Sequence, residues 1–227
     1  DEVQFVANLQ RSFDICEHDN VLMTLGILPT FANTGYGYIE FDKLDSRQVK
    51  KVVQFREKPD YATAKKFIQS RNFLWNSGIF IWSVSSILDA FEKFQPVMYN
   101  LFNEGFDKLN TEAEADFVAE NYGKSENISI DYAVMEKADN VFVIPASFGW
   151  SDLGTWNSAW ENMEKDYLEN AVAGDHVIVF DTNKSVIHVP DEKLVVLQGL
   201  DDYIVVDTKD VLLICQKEKE QEIKEVM

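Results

Sequence analysis

The chain has 227 residues, of which 46% are hydrophobic and 13% aromatic, so it has enough apolar surface to build a folded core. Its 21 Lys and Arg residues against 39 Asp and Glu residues give a net charge of −18, which repels phosphate backbones and anionic lipid head groups. These numbers exclude an intrinsically disordered protein, and we predict no nucleic-acid partner and no membrane partner.

The cysteines and the apolar stretches bear on the cellular compartment. Cys16 and Cys215 each lie in an apolar neighbourhood without a metal-ligand spacing, so we expect two buried free thiols. The least charged stretch, residues 72–88, is too short for a bilayer and too rich in polar residues. No charged segment followed by an apolar core opens the chain, so we predict no secretion signal and a cytoplasmic protein.

Helical and strand patterns alternate in the first three-quarters of the chain. Apolar residues at three- and four-residue spacing predict an amphipathic helix over residues 1–18, and Asp60 is placed to cap a helix over residues 60–70. This alternation predicts an α/β layered sheet. The stripe of the first helix comprises Phe5, Leu9, Phe13 and Cys16. The predicted strands are residues 21–28, 36–41, 49–55, 78–82 and 141–145, and the further helices are residues 85–94, 97–109, 112–121, 129–137 and 153–167.

The sequence pattern changes near residue 170. From residue 171 to residue 215, short runs rich in Val, Ile and Leu are separated by turn residues at short intervals, which is typical of an all-β domain. The last dozen residues, 216–227, predict a charged helix. We therefore predict a first domain over residues 1–168 and a small β domain with a C-terminal helix over residues 169–227.

Two segments beside predicted strands combine glycines or paired charges with aromatic residues. In TGYGYI, residues 34–39, two glycines flank Tyr36 and let the backbone approach a ligand closely, although an ordinary turn uses the same residues. In FREKP, residues 55–59, Glu57 offers an acceptor for sugar hydroxyls and Lys58 a cation for a phosphate. The alternative for this pair is a strand end with solvated charges.

Two later segments offer an amide and a carboxylate. In WNSGIF, residues 75–80, Asn76 can donate to and accept from hydroxyls and Trp75 supplies a flat apolar face, although a hairpin or loop uses the same residues. In FGWSDLGTW, residues 148–156, Asp152 either caps the following helix or binds Mg²⁺, which favours one or two carboxylates together with phosphate oxygens.

The remaining candidates carry less chemistry. Asp131 and Glu136 in IDYAVMEK are more often structural at a helix start. The chain contains neither a GxGxxG or GxxxxGK[ST] nucleotide loop nor a G-x-S-x-G nucleophile motif. The three histidines are scattered singly, so none is assigned a catalytic role.

Taken in this order, the segments resemble the bacterial mannose-1-phosphate guanylyltransferase family, and the resemblance covers most of the chain. The C-terminal runs at residues 199–200, 205–208 and 210–213 are similar to the family's small β domain. The resemblance implies an α/β fold, namely a truncated Rossmann-like nucleotidyltransferase sheet with helices on both faces. A left-handed β-helix-like unit that takes part in assembly would follow, and a homodimer is one assembly that it allows.

The family's nucleotide-binding features do not occur in these 227 residues. They are a glycine-rich loop of the type G-x-G-T-R-L, a following P-K motif and a first metal-binding Asp. The sequence therefore resembles the C-terminal two-thirds of such an enzyme, with the acceptor-sugar side present and most of the GTP site absent. We expect this polypeptide to be inactive by itself.

The family reaction joins GTP and mannose 1-phosphate to give GDP-mannose and pyrophosphate, with Mg²⁺ as cofactor. By resemblance, Gly37 would contact the sugar through its backbone, and Glu57 and Asn76 would bind the sugar hydroxyls. Lys58 would pair with the sugar phosphate and Asp152 would be one of two metal carboxylates. Lys58 and Asp152 are the predicted catalytic residues.

Two other functions stay open. One is a nucleotidyltransferase that uses another hexose 1-phosphate or another base. The other is a non-catalytic fragment that binds sugar phosphates or forms oligomers. Arg56 departs from the family pattern, in which an apolar residue is more typical, and its direction does not follow from the sequence.

Overall fold

The computed structural model describes residues 1–190 and 192–225, which form two compact units, residues 1–150 and residues 151–227. Each unit has secondary structure of its own. The division falls before the boundary predicted at residue 168, which stays a prediction.

Helices and strands alternate along the first unit, as the α/β pattern predicts. The helices are α1 (Glu2–His18), α2 (Tyr61–Ser70), α3 (Val84–Phe94), α4 (Pro96–Asn103) and α5 (Glu114–Asn121), with a π-helical turn at Asp131–Met135. The strands are β1 (Leu22–Ile27), β2 (Tyr38–Phe41), β3 (Lys50–Arg56), β4 (Phe73–Trp82) and β5 (Val141–Ala146).

The five strands of the first unit close on themselves in the order β1-β4-β2-β3-β5. β1 and β5 run parallel, and the other neighbours pair in antiparallel fashion. The predicted Rossmann-like sheet is therefore a mixed sheet, with one parallel pair of strands. The short connection from β2 to β3 forms a hairpin, so that pair is antiparallel. This sheet positions the candidate site.

Both faces of the sheet are apolar and covered by helices, as predicted. On one face, Met23 and Trp75 belong to a cluster that includes Cys16 of α1 and Ala64 of α2. On the other face, Leu22 and Leu74 are packed with Ala90 of α3 and with residues of the π-helical turn. Neighbouring strand residues point to opposite faces, which places Leu22 and Met23 in different clusters.

The stripe of α1 differs from the predicted one at a single position. Cys16 is buried and Phe5 and Leu9 pack on the core, but Phe13 is exposed and Ser12 takes the buried position. Ser12 is tolerated there because its hydroxyl donates to the Asn8 carbonyl oxygen at 2.8 Å.

β4 is longer than the predicted strand 78–82 and includes the WNSGIF segment, which is therefore a strand and not a loop. Its pairing with β1 slips between Thr24 and Gly26, which lie opposite Phe80 and Asn76. The irregularity spans Ser77 to Ile79, and Gly78 adopts a φ of 73°. Bulges of this kind bend a strand and redirect its side chains.

Helix ends in the first unit differ from the predictions in two further places. The predicted helix 97–109 ends at Asn103 and is followed by a 3-10 turn, Phe106–Lys108. Between them, Gly105 packs so closely on the Phe117 ring that no side chain fits. The predicted helix 129–137 is the π-helical turn, and Ser129 does not cap it with its side chain.

The second unit begins with a short helix and continues as strands, as the all-β pattern predicts. The helix α6 (Trp156–Asn162) is shorter than the predicted helix 153–167, because Thr155 caps it and Leu153 adopts a left-handed φ of 49°. The strands are β6 (Ala171–Ala173), β7 (Val177–Phe180), β8 (Val186–His188), β9 (Val195–Gln198), β10 (Tyr203–Asp207) and β11 (Leu212–Gln216).

Successive strands of the second unit stack as a parallel coil. β6, β8 and β10 lie side by side in parallel, β7 pairs in parallel with β9, and β11 closes the larger sheet in antiparallel fashion. Ile187 and Ile204 are fully buried in the coil. At the position of the predicted charged C-terminal helix, Lys217–Glu225 forms a 3-10 helix, and residues 226 and 227 lie outside the described residues.

Two expectations about the compartment meet the structure here. Both cysteines are free thiols, but only Cys16 is buried, whereas Cys215 is half-buried. Burial raises the pKa of both thiols. Within residues 1–190 and 192–225, no helix is long and apolar enough to cross a membrane.

Candidate active site

Strand pairing brings three of the predicted site residues to one edge of the sheet. Gly37 precedes β2 and Glu57 follows β3, and these strands are antiparallel, so the two residues meet at the same edge. Asn76 of β4 joins them, because its backbone N–H donates to the Gly37 carbonyl oxygen at 2.8 Å.

A glycine is needed at position 37 because two neighbouring side chains lie very close to its backbone. A Cβ at this position would collide with Glu57 Oε2 and would lie 3.2 Å from the Asn76 Cβ. A side chain at position 37 would therefore meet both of the side chains that the sequence assigns to sugar hydroxyls. The predicted backbone approach and the predicted side chains share one location.

The Glu57 side chain is 8% exposed and forms an ion pair through Oε1 with the Lys58 Nζ at 2.9 Å. Its second oxygen, Oε2, is buried and has no hydrogen-bond partner among the residues that the structure describes. Burial raises the pKa of Glu57, the Lys58 ammonium lowers it in part, and the Asp131 and Glu136 carboxylates raise it again. The site thus holds a buried acceptor that lacks a donor.

Lys58 is the exposed partner of this pair. Its side chain is 60% exposed, and the bond to Glu57 raises the pKa of Lys58, so the ammonium stays protonated. Its φ of 45° lies in the left-handed region, which is strained for a non-glycine residue and occurs often at functional sites. Arg56 is exposed and its guanidinium faces the Gln54 amide, so it points away from this pair.

The Asn76 amide is held by hydrogen bonds on both of its ends. Its Nδ2 donates to Asp131 Oδ1 at 3.0 Å, and its Oδ1 accepts the Gly78 N–H at 3.1 Å. The Thr24 hydroxyl lies 3.4 Å from the same Oδ1. The bulge in β4 and a distant acidic residue therefore determine together where this amide points.

The π-helical turn contributes two acidic residues to the site, although the sequence pattern favours a structural role for both. Asp131 accepts from Asn76, and Glu136 accepts the Glu57 backbone N–H at 3.2 Å. A π-helix bonds residue i to residue i+5, so Glu136 lies one turn beyond Asp131. The five-residue spacing of these acids was the available signal, but an α-helix would place them on different faces.

Aromatic rings line the neighbourhood of Gly37. The Trp75 ring lies 5.1 Å from the rings of Phe31 and Tyr36 in edge-to-face geometry, and Tyr36 lies 5.5 Å from Trp150. Phe31 is 44% exposed, whereas Trp75 is 5% exposed. Trp75 therefore belongs mainly to the core and supplies less open surface than the sequence suggested.

Asp152, the remaining predicted site residue, belongs to the second unit. It is exposed and does not cap α6, since the Thr155 hydroxyl accepts the Ser158 N–H in a reciprocal capping box. Of its two predicted roles, the helix cap is therefore wrong. Within the described parts of the chain, no group of three or more His, Cys, Asp or Glu residues is arranged to hold a metal ion.

Comparison with known protein families also gives two parts, but the first family match extends beyond the first compact unit. Residues 6–169 match the nucleotidyl transferase family, and residues 174–227 match the MannoseP isomerase/GMP-like beta-helix domain. The second match includes the parallel strands β7 to β10 of the coil.

Curated relatives align along most or all of the chain. Mannose-1-phosphate guanylyltransferase RfbM of Salmonella typhimurium is 34% identical over 100% of this chain and 47% of its own length. Alginate biosynthesis protein AlgA of Pseudomonas syringae is 37% identical over 91% of the chain and 43% of its own length. Xanthan biosynthesis protein XanB of Xanthomonas campestris is 35% identical over 100% of this chain and 48% of its own length. The chain spans about half the length of these relatives.

A solved structure shares the fold along the whole chain. It is a crystal structure from Thermus thermophilus described as a mannose-1-phosphate geranyltransferase, with a TM-score of 0.83 and 28% identity. The similarity covers 100% of this chain and 64% of that one. The closed sheet with helices on both faces, the family match over residues 6–169 and this structural similarity agree, and the chain belongs to the nucleotidyl transferase family.

Proposed function

We propose that this chain carries the sugar-phosphate side of a mannose-1-phosphate guanylyltransferase, which converts GTP and mannose 1-phosphate to GDP-mannose and pyrophosphate. The observation that supports it most is the buried Glu57 Oε2 without a donor, beside Gly37 and Asn76. An unpaired buried carboxylate oxygen is costly, so a hydroxyl that reaches it is bound favourably. The name of the relative RfbM, mannose-1-phosphate guanylyltransferase, points to the same chemistry.

The reaction needs positioning and charge neutralisation rather than a side-chain nucleophile. An oxygen of the sugar phosphate forms a bond to the α-phosphorus of GTP while the bond from that phosphorus to the β-phosphate oxygen breaks, and pyrophosphate leaves. The chain's contribution is to hold the attacking phosphate in place, which lowers the barrier because the reactants are already oriented.

Each site residue has a distinct task in this proposal. The exposed Lys58 ammonium turns from Glu57 toward the sugar phosphate, and the freed Glu57 carboxylate accepts from sugar hydroxyls. Asn76 hydrogen-bonds a neighbouring hydroxyl, and the Gly37 backbone contacts the sugar. The net charge of −18 makes the local cation necessary, because the protein as a whole repels an anionic sugar.

Mg²⁺ binding by Asp152 stays part of the proposal. Mg²⁺ is commonly held by one or two carboxylates together with substrate phosphates, so one Asp becomes a ligand only with further oxygen donors. When bound, the ion would neutralise charge on the phosphates. No step assigned above to Glu57, Lys58 or Asn76 depends on it.

Calorimetric titration of the 227-residue chain with mannose 1-phosphate tests the proposal. We expect binding that Glu57→Ala and Asn76→Ala each weaken about ten- to a hundredfold, because each substitution removes a hydrogen bond to the ligand. Glu92→Ala, at an exposed position of α3, is the control and should bind like the unchanged chain.

Three further ligands separate the proposal from its alternatives. Glucose 1-phosphate that binds as well as the mannose compound would favour a different hexose, and inorganic phosphate that binds equally well would favour an unspecific anion site. We expect the chain to bind GTP weakly and to release no pyrophosphate from GTP and mannose 1-phosphate. Pyrophosphate release by these 227 residues would contradict the assignment of the nucleotide site to sequence outside them.

Three expectations from the resemblance also stay proposals. They are a cytoplasmic location, a left-handed sense of the C-terminal coil and a homodimer. Sedimentation velocity at several protein concentrations measures the last of these directly.

A further inference from the structure

The π-helical turn contacts two candidate site residues, Asn76 of β4 and Glu57, which follows β3. Asp131 Oδ1 accepts from Asn76 Nδ2 at 3.0 Å, and Glu136 Oε1 accepts the Glu57 N–H at 3.2 Å. Both acceptors are carboxylates, but the donor of the first bond is a side-chain amide, whereas the donor of the second is a backbone N–H. Asp131 is therefore the residue of this turn that can orient a site side chain.

Hydrogen-bond accounting at Asn76 shows which group remains for a ligand. A side-chain amide has two N–H donors and two acceptor lone pairs. Its Oδ1 accepts the Gly78 N–H at 3.1 Å, whereas the single proton of the Thr24 hydroxyl has a closer acceptor in the Ile79 carbonyl oxygen, at 3.1 Å, than in this Oδ1, at 3.4 Å. One Nδ2–H is donated to Asp131. The carbonyl oxygen is therefore directed at the Gly78 N–H, and one N–H of the amide remains.

We propose that Asp131 is a positioning residue that fixes the Asn76 amide so that it presents an N–H, and not its carbonyl oxygen, to the ligand. The inference rests on the proposed function only in the identity of the ligand. The reversed amide would direct its oxygen at the Asp131 carboxylate and its NH₂ at the Gly78 N–H, and both contacts are repulsive.

A fixed amide gives the site a defined hydrogen-bond polarity. Glu57 Oε2 is an acceptor and Asn76 Nδ2 is a donor, and both side chains lie close to Gly37. A ligand with neighbouring hydroxyls fits this pair, since one hydroxyl donates to Glu57 while the next accepts from Asn76. A free amide would lose this discrimination, because it could offer either group.

NMR of the Asn76 side-chain amide in the 227-residue chain tests the positioning without a ligand. In the unchanged chain we expect a scalar coupling across the hydrogen bond from Asn76 ¹⁵Nδ2 to the Asp131 carboxyl ¹³C. Asp131→Ala should shift the Asn76 amide signals and speed their exchange with water, whereas Asp131→Asn should restore slow exchange because its oxygen still accepts. Glu136→Ala removes a carboxylate of the same turn that does not touch Asn76, so it should leave these signals unchanged.

Binding of mannose 1-phosphate to the same variants supplies the second measurement. Asp131→Ala should weaken binding about tenfold, with recovery in Asp131→Asn, because only the alanine leaves the amide unanchored. In an Asn76→Ala background the Asp131→Ala change should have no further effect, whereas a merely structural role would add its cost in both backgrounds.

The two measurements separate the inference from the proposed function. The positioning role is overturned if the unchanged chain lacks the coupling, or if Asp131→Ala leaves the Asn76 signals unchanged. The coupling is measured in the unchanged chain, so it tests the role even when the alanine variant does not fold. Expected NMR results together with no binding of mannose 1-phosphate support the positioning role and contradict the proposed ligand. Additive binding losses in the double variant also overturn the positioning role.

Discussion

At the scale of single residues, the site depends on Gly37. Its φ is not positive, so the backbone conformation is not the reason that a glycine is needed there. Gly37 is required by the Glu57 carboxylate, which occupies the space of its missing side chain. Glu57 is in turn held by Lys58, whose own backbone is strained. Three successive constraints thus place one carboxylate oxygen where no protein donor within the described residues reaches it, and such arrangements are typical of ligand sites.

Substitution of Gly37 tests this arrangement. In Gly37→Ala we expect the Glu57 carboxylate to move and binding of mannose 1-phosphate to weaken about tenfold or more, because a charged hydrogen bond is lost. The fold should persist, since the atom displaced is the end of a side chain. Gly35→Ala is the matched control, because its Cβ would meet only Asn33 Oδ1 at 3.2 Å. Equal affinities of the two variants would contradict the placement.

The raised pKa of Glu57 predicts how stability depends on pH. Burial raises this pKa, so the folded chain binds a proton more tightly than the unfolded chain. The free energy of unfolding, relative to Glu57→Gln, should therefore fall as pH rises from the ordinary pKa of a glutamate through the raised value. Urea unfolding of both chains across this pH range measures the fall, and the difference between the two chains should level off above the raised pKa.

The Lys58 ammonium supplies an internal check on this prediction. It lowers the pKa of Glu57, so Lys58→Met should move the loss of stability to higher pH. A stability difference that rises with pH in either comparison would contradict the buried state of the Glu57 carboxylate.

At the scale of elements, strand irregularity and unusual helical turns carry the site. The bulge around Ser77 redirects Asn76, and the Ser77 hydroxyl secures it by donating to the Leu25 carbonyl oxygen at 2.7 Å. The π-helical turn then supplies Asp131. Both features are departures from regular hydrogen bonding, and such departures are frequent next to functional sites.

At the start of α6, the capping residue and the proposed metal ligand are different residues, Thr155 and Asp152. Thr155→Ala should lower the free energy of unfolding by about 0.5–2 kcal/mol, because the capping bond to the Ser158 N–H is lost. Asp152→Asn should change it less, since Asp152 is exposed and does not cap the helix. In a fusion that joins this chain to a family nucleotide-binding segment, Asp152→Asn should lose most activity and require more Mg²⁺. Full activity at low Mg²⁺ would leave Asp152 without a metal role.

At the scale of the whole molecule, the two units have separate hydrophobic cores. The C-terminal coil is filled by residues of successive parallel strands, with Ile187 and Ile204 fully buried. Its outer face carries exposed apolar side chains such as Ile178, which is 44% exposed. Each unit therefore has its own source of stability, in the manner of a domain.

Truncation in the coil tests this organisation. Ile204→Ala should lower the free energy of unfolding of the second unit by about 2–5 kcal/mol, because it leaves a cavity in a packed interior. Ile178→Ala, also on a strand of the coil but exposed, should cost about 1 kcal/mol or less. Thermal unfolding followed by near-ultraviolet circular dichroism measures both, and equal costs would contradict the burial of Ile204.

The sequence by itself determined the features that depend on neighbours along the chain. The α/β alternation followed from the periodicity of apolar residues. The cap of α2 followed from Asp60, whose carboxylate accepts the Thr63 N–H at 2.9 Å. The candidate chemistry followed from the residue types at Glu57, Lys58 and Asn76. These are interactions over a few residues, and propensity and spacing report them directly.

Only the tertiary structure decided which of these groups meet. The contact between Asn76 and Asp131 joins residues that are 55 positions apart, and the bond from Glu57 to Glu136 spans 79. Such contacts depend on strand register, on a bulge that slips the pairing and on a turn whose i+5 bonding brings two acids to one side. A single sequence does not reveal register, because a shift of one residue preserves composition while it reverses every side chain of a strand.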